Sequence, residues 1–335
     1  MPRLAYLLNR IESRVCRLNG IQPSRSLPRK PELRQSFADH VMYSSDQLPP
    51  KVDLRANMTS VEDQSKIGSC VANSLAGAYE YLAKKGNGYD IDVSRLFIYY
   101  NARASKNQSG ELTDSGCSMT DGIETLQEYG VCLESMWPYN IQNVNVTPDQ
   151  QTYQAADDFK ITEAFQVDLD LNQMKSCLAQ GFPFTFGLKL FTSFDKAAKS
   201  GVVPIPDPDE QSRESHGSHA LLAVGYSDQS YSFIVRNSWG KYWGDNGYCY
   251  IPYDYMTDPN LCFDMWTVRQ LASDDFGQDH WDNDDSVDYH YEEQDPDGNE
   301  EPNRGIEHFN NENDVFNDMA NFAGKVIGSF ISLAL

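Results

Sequence analysis

What this sequence lacks closes off whole classes of function. Basic side chains are in deficit, 27 Lys and Arg against 49 Asp and Glu, for a net charge of −22. A nucleic-acid binder needs cationic patches to neutralise phosphates, so nucleic acid is not an expected partner. There is no CxxC spacing, no P-loop and no internal repeat, so nothing calls for a metal or any other cofactor. The longest apolar stretch, residues 320–335, contains Lys325 and is short of the ~20 residues of a membrane-spanning helix. Docking of that stretch on protein is therefore favoured over membrane association. An export signal is missing too: Arg3, Arg10, Arg14 and Arg17 interrupt any apolar core, and no small-residue cleavage site follows. Without export, the sequons at Asn57, Asn107 and Asn145 are incidental.

What is present divides the chain into three parts. Residues 1–48 carry eight Arg and Lys against four Asp and Glu, whereas residues 271–335 carry two against seventeen. The basic part reads as a leader. In it Leu4, Leu7, Leu8, Ile11, Val15 and Leu18 recur at helical spacing, so an amphipathic helix with an arginine face is expected over 4–18. The acidic part is too poor in apolar residues to offset chain entropy and is expected to be disordered, ending in a short apolar helix. Residues 49–270 form the main globular part, the one rich enough in apolar residues to build a core. Helical segments are expected at 71–82, 94–103 and 122–129, and strands at 182–190, 220–225, 231–236 and 248–251.

The chemistry lies in that middle part. A thiol, an imidazole and an amide occur in the order Cys70, His219, Asn237, with Gln64 six residues before the thiol. A thiol is a modest nucleophile until an imidazole takes its proton, and a third group must fix the tautomer of that imidazole. A glutamine N–H can stabilise the oxyanion formed when the thiolate attacks a carbonyl. The choice of base follows by elimination among six histidines. His280, His290 and His308 lie in the acidic tail and His40 precedes the unit. Of the remaining pair, His219 heads the apolar run 220–224, while His216 sits in a Ser/Gly-rich approach. Cys70 heads a helical segment, where the positive end of the helix dipole favours a thiolate.

The residues Val52-Asp53-Leu54-Arg55, Gln64 through Cys70, His219 through Tyr226, and Asn237-Ser238-Trp239-Gly240 through Tyr248 together resemble the papain-like cysteine peptidases, the cathepsin family. The resemblance covers residues 49–270. It implies an α+β, two-lobed fold, with a helical lobe bearing Cys70, a β-barrel-like lobe bearing His219 and an active-site cleft between them. It implies Cys70 as nucleophile, His219 as base, Asn237 as its orienter, Gln64 as oxyanion donor, and Trp239 as a cover over the Asn237–His219 bond. By alignment, Gly116, Ser118, Met119, Gly187, Gly217 and Ser218 would line substrate subsites, with a roomy apolar pocket at the glycines; strand packing alone is the other reading of those glycines.

The resemblance also breaks in places. Secreted relatives carry a cysteine where Ile67 stands, so that bridge cannot form, and Val71 replaces the usual aromatic residue after the nucleophile. Seven cysteines without the expected pairs point to reduced thiols and an intracellular or virion setting, while the acidic charge of the middle part fits work in an acidic compartment; Cys117–Cys132 and Cys249–Cys262 pairs stay open. Such features fit a microbial or large-DNA-virus member. The expected function is a cysteine endopeptidase made as a self-inhibited precursor, acting on protein or peptide, with its own leader as intramolecular inhibitor. The leader has a second reading, an appendage packed on the outside. A transamidase or exopeptidase using the same groups, or a non-catalytic binding protein on the same scaffold, are the alternatives.

Overall fold

The computed structural model describes residues 5–9, 14–88, 90–107, 110–212 and 216–269. The acidic tail and its terminal apolar segment lie outside the described residues. Residues 1–276 cluster as one unit.

The leader corrects the first expectation. In place of a helix over 4–18, strands β1 (Ala5–Asn9) and β2 (Arg14–Leu18) form an antiparallel hairpin, with Leu7 opposite Cys16. Leu7, Cys16 and Leu18 are buried while Tyr6 is exposed. A helix satisfies its own backbone, but an extended chain can bond to what surrounds it, and here the surroundings win. The amide of Asn19 donates to the Ser218 carbonyl at 2.7 Å, and the Ser218 amide donates back to the Asn19 side chain at 2.8 Å. Asn19 sits at φ +59°, a left-handed turn that asparagine tolerates better than most residues. Beyond it, β3 (Ile21–Gln22) continues across the protein, and β4 (Gln35–Ser36) ends up elsewhere, on a sheet edge.

Next comes β5 (Lys51–Asp53), then helix α1 (Cys70–Asn87), α2 (Arg95–Ala104), β6 (Cys117–Ser118) and α3 (Met119–Glu128). A helix buried on every face must lie between other layers. In α1, Val71, Leu75, Tyr79 and Leu82 are all buried, and it packs against α2 and α3 on one side and the sheet on the other. Each such side chain contributes roughly 1.5–3 kcal/mol of apolar burial. Helix ends follow local chemistry. Ser94 caps α2 by accepting from the Phe97 amide at 3.1 Å. Ser118 and Asp121 form a reciprocal capping box on α3. Gly88, at φ +74°, closes α1 in the left-handed conformation.

The second lobe holds β7 (Glu163–Gln166), β8 (Phe184–Leu190), β9 (Gly217–Ser227), β10 (Ser232–Arg236), β11 (Tyr248–Pro252) and β12 (Cys262–Arg269). Among the described residues they form one eight-stranded sheet in the order β11-β10-β9-β8-β12-β7-β4, with β5 also paired to β9. The expected strands are all there, and β9 is longer than its apolar run because neighbours pair along its whole length. Leader strand β4 lies parallel to β7 at the edge, where His40 stacks on Phe165 at 4.2 Å. This part of the chain thus packs on the edge of the sheet. Among the described residues no helix is long and apolar enough to cross a membrane.

Candidate active site

Cys70 is the first residue of α1 and is fully buried. Burial pushes its thiol up to about 11, against the pull of the Ala220 and Val71 backbone and the positive charge of Arg17. The Ala220 contact ties the thiol to the sheet lobe one residue past His219. That histidine lies in β9, opposite Leu188, and is itself fully buried. Its Nε2 lies 2.8 Å from Asn237 Oδ1, and its Nδ1 has no hydrogen-bond partner. Burial lowers the imidazole to about 4, against the opposing Asn237 bond. Burial thus disfavours the charged form of both the thiol and the imidazole.

The block from Asn237 to Tyr248 serves to hold that imidazole. Trp239 stacks on His219 with ring centres 4.7 Å apart, and Trp243 meets Trp239 edge-on at 5.1 Å. The Asn237 amide donates to the Gly247 carbonyl at 3.0 Å, and the Gly247 amide returns to Trp243. Ser238 orients Gln64: its hydroxyl donates to Gln64 Oε1 at 2.7 Å, so Nε2 points the other way. That Nε2 donates to the carbonyl of Ile67 at 3.2 Å and to the carbonyl of leader residue Arg17 at 3.1 Å.

The leader fills the space around these groups. A Cβ on Gly20 would lie 2.8 Å from the Cys70 sulfur and 2.5 Å from the Gly68 carbonyl oxygen. Gly116, at φ +77°, faces the Gly20 carbonyl, which accepts from the Cys117 amide at 3.1 Å. Strand β3 runs parallel to β6 there. A Cβ on Gly217 would meet Leu18 and Asn19, and one on Gly187 would meet Phe263 and the methyl of Ile21. Ser218 exchanges its two hydrogen bonds with Asn19, as described above. Met119 is buried at the start of α3, and the Ser118 hydroxyl is spent on the α3 cap. His216 is partly exposed, and its Nε2 lies 3.2 Å from the Tyr6 carbonyl, away from Asn237.

Sequence reasoning passed over Asp114, Tyr99 and Phe263. Asp114 takes the Gly68 amide at 3.0 Å and the Tyr99 hydroxyl on Oδ1, and the Arg17 guanidinium on Oδ2. The one available signal was its place two residues before Gly116. Cys70, Cys117, Cys132, Cys249 and Cys262 are free thiols, so neither candidate disulfide forms.

Residues 48–262 match the family model for papain family cysteine proteases. This chain belongs to that family. An uncharacterized peptidase C1-like protein of Acanthamoeba polyphaga mimivirus is 38% identical over 246 residues, spanning 67% of this chain and 78% of the viral protein. A cathepsin L-like proteinase of Fasciola hepatica is 28% identical, spanning 60% of this chain and 59% of that protein. Xylellain, a cysteine protease from Xylella fastidiosa, superposes with a TM-score of 0.66 at 33% identity, covering 76% of this chain and 97% of that one. The papain-like architecture and membership among the papain-like cysteine endopeptidases agree with the sequence resemblance.

Proposed function

We propose that the chain is made as a latent precursor and, once its leader leaves the cleft, hydrolyses peptide bonds through Cys70, His219, Asn237 and Gln64. The observation that carries this reading is the state of His219. One ring nitrogen is fixed by Asn237, and the other is unpartnered beside the backbone segment that contacts the Cys70 thiol. With the leader displaced, solvent returns and the thiol proton passes to His219 Nδ1. The thiolate then attacks the scissile carbonyl carbon, and the carbonyl oxygen becomes an oxyanion that accepts from Gln64 Nε2. His219 returns the proton to the departing amine, and water hydrolyses the thioester.

Latency follows from a mismatch along the leader. Attack requires one residue to offer its carbonyl carbon to the thiol and its oxygen to the oxyanion donor. Here Gly20 faces Cys70 while the carbonyl at Gln64 belongs to Arg17, three residues earlier. No single peptide bond is aligned for cleavage, so the segment blocks without reacting. The free thiols at Cys117, Cys132, Cys249 and Cys262 support a reducing setting, in a cell or virion. The test is hydrolysis of a protein substrate by full-length chain and by Cys70→Ala, with Cys177→Ala as control. Activity is expected only where Cys70 is present, and undiminished turnover by Cys70→Ala would overturn the assignment.

A further inference from the structure

Asp114 is a buttressed carboxylate on Gly68, two residues before the nucleophile, and the reaction described above gives it no task. Oδ1 is committed to the Gly68 amide and the Tyr99 hydroxyl, and Tyr99 is in turn fixed by the Gly116 amide at 2.9 Å. Oδ2 faces the cleft and is taken by Arg17 Nη1, while Arg17 Nη2 donates to the Asp114 carbonyl at 2.7 Å. The Arg17 side chain is 4% exposed there, which is unusual for a guanidinium. The same residue's carbonyl sits on the Gln64 side-chain amide. Another cation nearby, Arg103, stacks on Tyr99 and spends its donors on Tyr99, Thr113, Val144 and Asn145. It leaves Oδ2 to the occupant of the cleft.

We infer that Asp114 is a specificity residue that selects substrates with arginine as the residue supplying the scissile carbonyl, and that Arg17 of the leader occupies this subsite in the precursor. This inference rests on the peptidase reading. The geometry favours arginine over lysine, because one head group must reach both the Asp114 carboxylate and its main-chain carbonyl. A planar fork of N–H donors does this and a single ammonium does it less well. Gln64 links the two halves of the argument: a carbonyl held at its amide belongs to a residue whose side chain can reach Asp114.

The test uses full-length protein carrying Arg17→Gln together with Gly20→Ala, in which the leader is loosened from Cys70 and the subsite has lost its own occupant. Three otherwise identical peptides carry arginine, citrulline or leucine before the scissile bond, and kcat/KM is read for each, with the cut located by mass spectrometry. Citrulline keeps the shape of arginine and removes the charge. Hydrogen bonds to charged groups are worth about 1.5–3 kcal/mol, so arginine should exceed citrulline by about tenfold to a hundredfold. In an added Asp114→Asn background that ratio should collapse toward one. Equal rates for arginine and citrulline in the doubly substituted protein would overturn the inference while leaving the peptidase reading intact. Failure to cut any of the three peptides by protein whose Cys70 is alkylated by iodoacetamide, and is therefore accessible, would count against the peptidase reading itself and remove the inference with it.

Discussion

Replacing Gly20 with alanine should wake the precursor. The added methyl carbon would lie 2.5 Å from the Gly68 carbonyl oxygen, 2.7 Å from its carbon and 2.8 Å from the Cys70 sulfur, all closer than a Cβ sits in folded proteins. None of these neighbours can give way cheaply. Gly68 is tied through its amide to Asp114, and Cys70 is the first residue of a buried helix. On the far side, the Gly20 carbonyl already touches Gly116 and Cys117. The strain therefore falls on the leader, whose closed position should lose the ~1–3 kcal/mol typical of overpacking. At 1.4 kcal/mol per tenfold, the open population grows by about fivefold to about a hundredfold. The assay is the initial rate of fluorogenic peptide hydrolysis by full-length protein, paired with the rate of Cys70 alkylation by iodoacetamide read as a mass shift. Both should rise together, and Gly20→Ala in a Cys70→Ala background should stay inactive. If Gly20→Ala hydrolyses and alkylates no faster than the parent chain, the leader does not control access to the thiol.

His219→Ala should abolish turnover, whereas Asn237→Ala should leave a measurable remnant, since loosening an imidazole costs less than removing it; the reverse order, or loss in His216→Ala alone, would show the wrong base was chosen. Glu80 is buried on α1 and accepts from the Val93 amide at 3.0 Å and Thr59 at 2.5 Å; burial raises it to about 7, against the pull of Arg236. A raised carboxyl contributes stability fully below its ordinary value and loses it as pH rises through about 7. Glu80→Gln should therefore flatten the change in urea midpoint between pH 4.5 and 7.5 relative to the parent, and identical profiles would refute the assignment. Arg29 contacts Glu124 and Glu128 from an exposed position, so Arg29→Gln should change latency only at low salt. A salt-independent effect would mean Arg29 acts by packing instead.

The helical lobe and the sheet were legible because their signals are local. Residues 71–82 and 220–224 are apolar enough to be buried whatever their neighbours. The block around Asn237 was legible for another reason: its Trp, Gly and Asn residues each meet a separate demand, a ring over His219, a turn at Gly247, an amide on the imidazole. The leader was misread because its apolar spacing suits a helix while its hydrogen-bond partners lie 199 and 97 residues away, at Ser218 and Cys117. No period in the sequence encodes a backbone that will be completed by another segment. Asp114 escaped for a similar reason. Its neighbours in sequence look like an ordinary Ser/Gly turn, and its meaning arises only when Tyr99, Gly68 and Arg17 converge on it.

The leader and the ionisation of the site are one problem. With residues 17–22 in the cleft, burial holds Cys70 near 11 and His219 near 4. A histidine lowered in this way contributes stability above its ordinary 6.5 and loses it as pH falls through about 4; a thiol raised in this way contributes below its ordinary 9 and loses it as pH rises through about 11. The closed form is therefore best held near neutrality, where both groups are uncharged and neither calls for solvent. Acidification offers His219 a proton that it holds more readily with the cleft open, so protonation and release of the leader should favour each other. Once the leader is out, the penalty on charge falls for both groups at once, and the imidazolium and thiolate stabilise one another in place of the neutral pair. On the latency proposed above, the segment that covers the thiol would also keep it a thiol, and release would need no chemical change to Cys70.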